Sequence, residues 1–179
     1  MPRPATNKRE RLTAAAILMA RESGLESATI AAIAGAADVP AGSVYYYFKT
    51  KDDVAAAVAE GIATLLADAR ESLDAPDDRA ALTGFLRSYL EDAAGTVAYG
   101  TLLSTAATVG GADAHRETLG WLTSRFAGLG FTDGAARARA LHLLAGVEGG
   151  GALAHALGDA EPLEREVAHL ERWVANAGG

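Results

Sequence analysis

Three consecutive tyrosines, Tyr45, Tyr46 and Tyr47, stand just before two of the chain's three lysines, Lys49 and Lys51, in the stretch GSVYYYFKTKDD (42–53). A phenolic hydroxyl donates to a phosphate oxygen without demanding a base sequence, and a lysine adds a compact cation, so the pairing suits a polyanionic backbone. Three adjacent tyrosines cannot all be buried on one helix. An exposed aromatic cluster is costly unless it meets something. The other use of any one of these rings is to pack inward against the first helix.

The formal charge of −7 argues against nucleic acid as a partner, but its distribution reverses that impression. Residues 1–51 hold seven Lys/Arg against four Asp/Glu, whereas residues 52–179 hold nine against nineteen. All three lysines lie in the basic segment, and such asymmetry points to a polyanion-binding end. A short basic face is enough, because only the docking surface opposes phosphates. There is no cysteine, which removes both a disulfide framework and a thiolate zinc site. Neither a run of about 18 apolar residues nor a secretory leader is found, so a cytoplasmic location is expected.

The elements that position the tyrosines read as helices. Leu12, Ala16, Met19 and Ala20 recur at helical spacing until Gly24. Thr29 is placed to cap a short second helix, Ala37-Asp38-Val39 reads as a tight turn, and Pro40 suits the first turn of a third helix. Val44 and Phe48, four apart, give the third helix its buried edge. Thr50, followed by Asp52 and Asp53, starts a long fourth helix reaching about Leu73. Asp74 to Asp78 reads as a linker. Further helices are expected over 78–94, 97–109, 113–128, 134–157 and 161–176. The fold class is therefore all-α, with about nine helices and no strand.

A short helix, a tight turn and a second short helix, braced by a preceding amphipathic helix, is the helix-turn-helix plan. Residues 9–58 resemble the DNA-binding domain of the tetracycline-repressor (TetR) family of bacterial regulators. The resemblance rests on LTAAAILMARESG, TIAAIAGAADV and above all AGSVYYYFKTKDDV. It implies that Thr29 caps the second helix and touches phosphate, that Ala41, Gly42 and Ser43 approach bases or adjacent backbone, and that Tyr45, Tyr46, Tyr47 and Lys51 hold phosphates. Three departures stand out: Asp38 where the family usually has glycine, Pro40 in place of a hydroxyl, and Tyr47 where relatives often have histidine. The recognition helix carries no Arg, Asn or Gln, so bidentate base reading is missing and shape readout gains weight. Arg3, Lys8, Arg9 and Arg11 are candidates for flanking phosphate or minor-groove contacts, or a basic tail.

The resemblance divides the chain into a DNA-binding domain (1–51) and a ligand-binding and dimerisation domain (52–179) that includes the fourth helix. Its last two helices are then expected to pair across a two-fold axis. Leu141, Leu144, Ala145, Ala152 and Ala156 form one stripe, and Leu163, Val167, Leu170 and Val174 another. Glu148 and His155, seven apart, are candidates for hydrogen bonding at the same interface, and glycines 146, 149, 150 and 151 for close packing there. Phe85, Tyr89, Tyr99, Trp121 and Phe126 either line a cavity or fill the core. No HExxH, GxSxG or phosphate-binding glycine loop occurs, so no catalytic residue, metal or cofactor is nominated. What the resemblance implies is a ligand-responsive, DNA-binding transcriptional regulator: a homodimeric repressor released from its double-stranded operator by an unknown small-molecule effector. The alternative is a helical dimer that binds a small molecule or protein without DNA.

Overall fold

A computed structural model describes residues 6–73 and 77–178; the core of the expected 74–78 linker lies outside them. Among the described residues there are ten helices and no strand: α1 (Thr6–Ser23), α2 (Ile30–Ala36), α3 (Ala41–Tyr47), α4 (Lys51–Ser72), α5 (Asp78–Glu91), α6 (Ala93–Tyr99), α7 (Leu102–Thr108), α8 (Ala112–Gly128), α9 (Asp133–Leu157) and α10 (Glu161–Ala175). None of these helices is long and apolar enough to cross a membrane.

The N-terminal unit is braced by α1, whose Leu12, Ala16 and Ala20 are buried against α2 and α4. α4 opens with a capping box: the Thr50 hydroxyl accepts from Asp53 N–H, while the Asp53 carboxylate accepts from Lys49 N–H at 2.8 Å and Thr50 N–H at 2.9 Å. Those backbone donors hold the Asp53 carboxyl below its ordinary 3.8. A depressed carboxylate stabilises the fold above its unfolded pKa, and loses that effect as pH falls through the lower folded value. With 22 residues α4 spans about 33 Å, and it leaves the N-terminal unit to pack on α7 and α8.

The helix expected over 97–109 is two helices. Gly100, at φ +79, takes a left-handed conformation that side chains resist, and Thr101 then caps α7 by accepting from Ser104 N–H at 2.9 Å. The break changes the chain's direction beside the interior cavity described below.

α9 runs through the middle of the C-terminal unit and packs on α6, α8 and α10. Leu163, Val167, Leu170 and Val174 of α10 are fully buried inside the single chain, on α9 and α5, which corrects their expected place at a dimer interface. An amphipathic stripe requires cover, and here α9 and α5 supply it. The α9 glycines are reassigned for the same reason. A Cβ at Gly146 would meet Glu166 Oε1 at 2.6 Å, one at Gly150 would meet Glu166 Cβ at 3.1 Å, and one at Gly151 would meet Thr101 Cγ2 at 2.6 Å. Three of the four therefore admit neighbours within the chain, and Gly149 alone of the four faces open space. At the far end of α10, Arg79 donates to the Val174, Ala175 and Ala177 carbonyls, satisfying acceptors that the helix end leaves open.

Gly151→Val is expected to destabilise the chain by about 1–3 kcal/mol through overpacking. Gly120→Ala, in open space on α8, should stabilise by about 0.5–1 kcal/mol. Urea denaturation of both variants checks the pair.

Candidate functional site

The surface around α3 is built from the turn upward. Thr29 caps α2 by accepting from Ala32 N–H at 3.1 Å. Between α2 and α3, Asp38 adopts φ +49, a left-handed conformation that an aspartate tolerates at some cost. Arg11 of α1 offsets that cost: its guanidinium donates to the Asp38 carbonyl at 2.7 Å and to the Asp38 carboxylate at 2.9 Å. Arg11 thus holds the turn. Pro40 supplies no side-chain cap to α3, and its carbonyl accepts from Ser43 N–H at 2.8 Å.

Val44 and Phe48 are buried, which turns the opposite face of α3 outward. Ala41 and Gly42 are exposed and Ser43 is half-buried. Tyr45 is 60% exposed and Tyr46 84%. Tyr47 is different. It packs against the core and borders an open groove of about 840 Å³ between α1 and α4, its ring edge-to-face with Tyr46 at 5.1 Å. Of the three rings nominated to hold phosphate, Tyr47 is the one turned partly toward the core.

Lys51, at the first turn of α4, donates to the Glu26 backbone carbonyl and lies 3.6 Å from the Glu26 carboxylate. In the free chain its amine is occupied by the loop ahead of α2, on the same side as Thr29. Arg9 pairs with Glu60 of α4 at 3.4 Å, Lys8 is exposed, and Arg3 lies outside the described residues.

The second candidate region is interior. A cavity of about 180 Å³ lies among α4, α5, α6, α7 and α8, with Leu66, Leu73, Phe85, Tyr89, Thr96 and Leu103 on its wall. Two of the five aromatics named from sequence, Phe85 and Tyr89, line it. Trp121 stands behind them, 5.9 Å from the Phe85 ring. Phe126 is a core residue, fully buried against Phe131 and Trp173, and Tyr99 lies outside the cavity beneath the Arg21 guanidinium; neither is a lining residue.

Glu148, expected at a dimer interface, turns inward. Its two carboxylate oxygens accept from the Tyr89 hydroxyl at 2.8 Å and the Thr101 hydroxyl at 2.7 Å. Burial, then the Glu148 charge and hydrogen bond, push the Tyr89 phenol well above 10.0, so it remains a donor at ordinary pH. His155 is held by the Val97 carbonyl at 3.0 Å, which separates it from Glu148. Leu144 is buried, while Leu141, Ala145, Ala152 and Ala156 remain exposed.

Sequence reasoning missed Arg21. From the last turn of α1 it donates to the Asp92 carboxylate at 3.0 Å and the Gly100 carbonyl at 3.1 Å, with its side chain only 11% exposed. Asp92 also lines the cavity. A single guanidinium therefore joins the helix that braces the turn to two residues at the cavity's edge. Its sole sequence signal was an arginine on the otherwise alanine-rich α1, too little to name a partner 71 residues away.

Residues 12–58 match the family model described as bacterial regulatory proteins, tetR family. The whole chain has the fold of solved regulators. A TetR transcriptional regulator from Legionella pneumophila superposes with a TM-score of 0.80 at 19% identity, covering 97% of this chain and 99% of its own. The regulatory protein TetR from Rhodobacter sphaeroides gives 0.78 at 24% identity, covering 92% and 97%. A transcriptional regulator from Rhodococcus sp. Rha1 gives 0.71 at 25%, covering 93% and 95%. Among curated proteins no match was found.

Arg11→Ala is expected to cost about 1 kcal/mol, since it strips a hydrogen bond and a mostly exposed ion pair from the left-handed turn. Asp38→Gly in the same background should recover part of the loss, as a double-mutant cycle by thermal denaturation would show.

Proposed function

By its N-terminal domain the chain belongs to the TetR family of DNA-binding transcriptional regulators, and from that premise we propose that it is a homodimeric repressor released from its operator by a small molecule. Residues 1–51 form the DNA-binding domain and 52–179 the effector-binding and dimerisation domain. The observation that carries the reading is the outward pair Tyr45 and Tyr46 on α3, beside exposed Ala41 and Gly42 and next to the Thr29–Lys51 side of α2 and α4. In the complex, Tyr45, Tyr46, Thr29 and Lys51 hold phosphates, while Ala41, Gly42 and Ser43 meet base edges or the adjacent backbone. Tyr47 supports α3 from below and reaches the DNA with its edge at most. Lacking bidentate base readers, this helix recognises its site by modest contacts and by duplex shape.

The second copy docks on the outward face of α9. Leu141, Ala145, Gly149, Ala152, Leu153 and Leu157 are exposed there, Leu153 at 56% and Leu157 at 68%. Uncovered leucines beside small residues suit close helix packing, and Arg165, His169 and Arg172 of α10 lie beside Leu153 as the polar rim. Two-fold pairing sets the recognition helices about 34–36 Å apart, or a multiple of that. An effector acts only through different affinity for two arrangements, and the Arg21 link between α1, Asp92 and Gly100 is the element whose two arrangements it biases.

A mobility-shift titration with the DNA upstream of the chain's own gene tests the assignment; no binding at low salt would contradict it and favour the dimer that binds ligand without DNA. Lys51→Ala should weaken binding to all sequences and lower the salt slope by about one. Glu26→Gln, which removes the negative charge 3.6 Å from the Lys51 amine and leaves its hydrogen bond to the Glu26 carbonyl, should strengthen binding. Arg21→Met should weaken operator binding while leaving the salt slope unchanged, because Arg21 acts through the position of α1 and not on phosphate; a changed slope would place Arg21 on the DNA instead.

A further inference from the structure

The interior cavity has a chemical sign. Glu148, behind the Tyr89 and Thr101 residues of the wall, carries a charge that no cation answers: its carboxylate is met by two hydroxyls, and among the described residues no Lys, Arg or His side chain pairs with it. The neighbouring charges are matched. Arg70 pairs with Glu117 at 3.2 Å and donates to Thr118 at 2.9 Å, and Asp92 pairs with Arg21.

Hydrogen-bond capacity points the same way. The Tyr89 and Thr101 protons are committed to Glu148 and the Ser88 proton to the Phe85 carbonyl at 2.8 Å, while Arg70 directs Nη1 to Thr118 and Nη2 to Glu117. What the Tyr89, Thr101 and Ser88 hydroxyls still offer is lone pairs. At Tyr89 and Thr101 an anionic ligand would meet oxygen lone pairs backed by a carboxylate. A neutral donor would fit them but leave the half-buried Glu148 carboxylate without a cation. The Phe85 and Tyr89 rings, edge-to-face at 5.4 Å, add π surface that attracts a cation. At about 180 Å³ the space falls below the roughly 300–1,000 Å³ of drug-sized sites, so the ligand is small.

We propose that the effector is a small lipophilic organic cation, an arylalkyl ammonium in its simplest form, with its nitrogen on the Tyr89 and Thr101 oxygens in front of Glu148 and its apolar body among Leu66, Leu73, Phe85 and Leu103. The proposal rests on the reading that this cavity takes the effector. Protonated Tyr89 keeps its donor role toward Glu148, and so keeps its lone pairs toward the ligand, across ordinary pH.

Calorimetric titration of the whole chain with 2-phenylethylammonium, 2-phenylethanol and phenylacetate tests the class. The ammonium is expected to bind about tenfold tighter than the alcohol, with phenylacetate weakest. In Glu148→Gln, which keeps an acceptor for one hydroxyl and preserves side-chain volume, the preference for the ammonium should disappear while affinity for the alcohol is retained. Equal or tighter binding of the alcohol or of phenylacetate, an ammonium preference that survives Glu148→Gln, or no ammonium binding at millimolar concentration would each overturn the proposal. Operator release recorded in the same titrations separates the two readings. A cation that binds without releasing DNA supports the ligand class while contradicting the effector response; release driven by phenylacetate contradicts the class and leaves the response standing.

Discussion

One guanidinium joins the two halves of this molecule. Arg21 leaves the last turn of α1, passes over the Tyr99 ring at 5.8 Å and reaches both the Asp92 carboxylate and the Gly100 carbonyl. Its Nε is buried without a hydrogen-bond partner, and both hydrogen bonds leave from Nη2. Such a side chain is expensive to leave unpaired in a partly buried site. That cost favours keeping both contacts made, alongside the packing of α1 on α6 and α7 and of α4 on α7 and α8. Gly100 matters here because its left-handed backbone aims the carbonyl at α1 and starts α7 in a new direction.

The two ends of that link carry different chemistry. On the side proposed to meet DNA, Arg11 makes an unfavourable Asp38 conformation workable, and α3 turns Tyr45 and Tyr46 outward. On the cavity side, the Glu148–Tyr89–Thr101 cluster places an uncompensated acid behind two hydroxyls. An overall charge of −7 is thus compatible with both proposed tasks, since Glu148 lies in the C-terminal unit while all three lysines lie within the first 51 residues.

Much of the architecture was legible in the chain because local physics decides it. Thr29, Gly24 and the Thr50–Asp53 box mark helix ends through their own hydrogen bonds and dihedrals, and Val44 with Phe48 states which side of α3 is buried. What periodicity cannot state is which neighbour covers an apolar stripe. Leu163, Val167, Leu170 and Val174 had the pattern of a buried face, and either a partner chain or α9 and α5 would have satisfied it. The direction of Glu148 was hidden for the same reason, as were Arg11 and Arg21, whose partners lie 27 and 71 residues away. The split at Gly100 escaped because a glycine inside a helical pattern is usually tolerated.

The central claim is that Arg21 sets the placement of the recognition helices, and the absence of any native cysteine makes it directly measurable. A spin label on Ala36→Cys, at an exposed position beside the turn, reports the distance between the two protomers of the proposed dimer by pulsed electron resonance. The account predicts one narrow distance distribution with Arg21 intact and a broadened or shifted one in Arg21→Met. An unchanged distribution in that variant, or no inter-protomer distance at all, would contradict it.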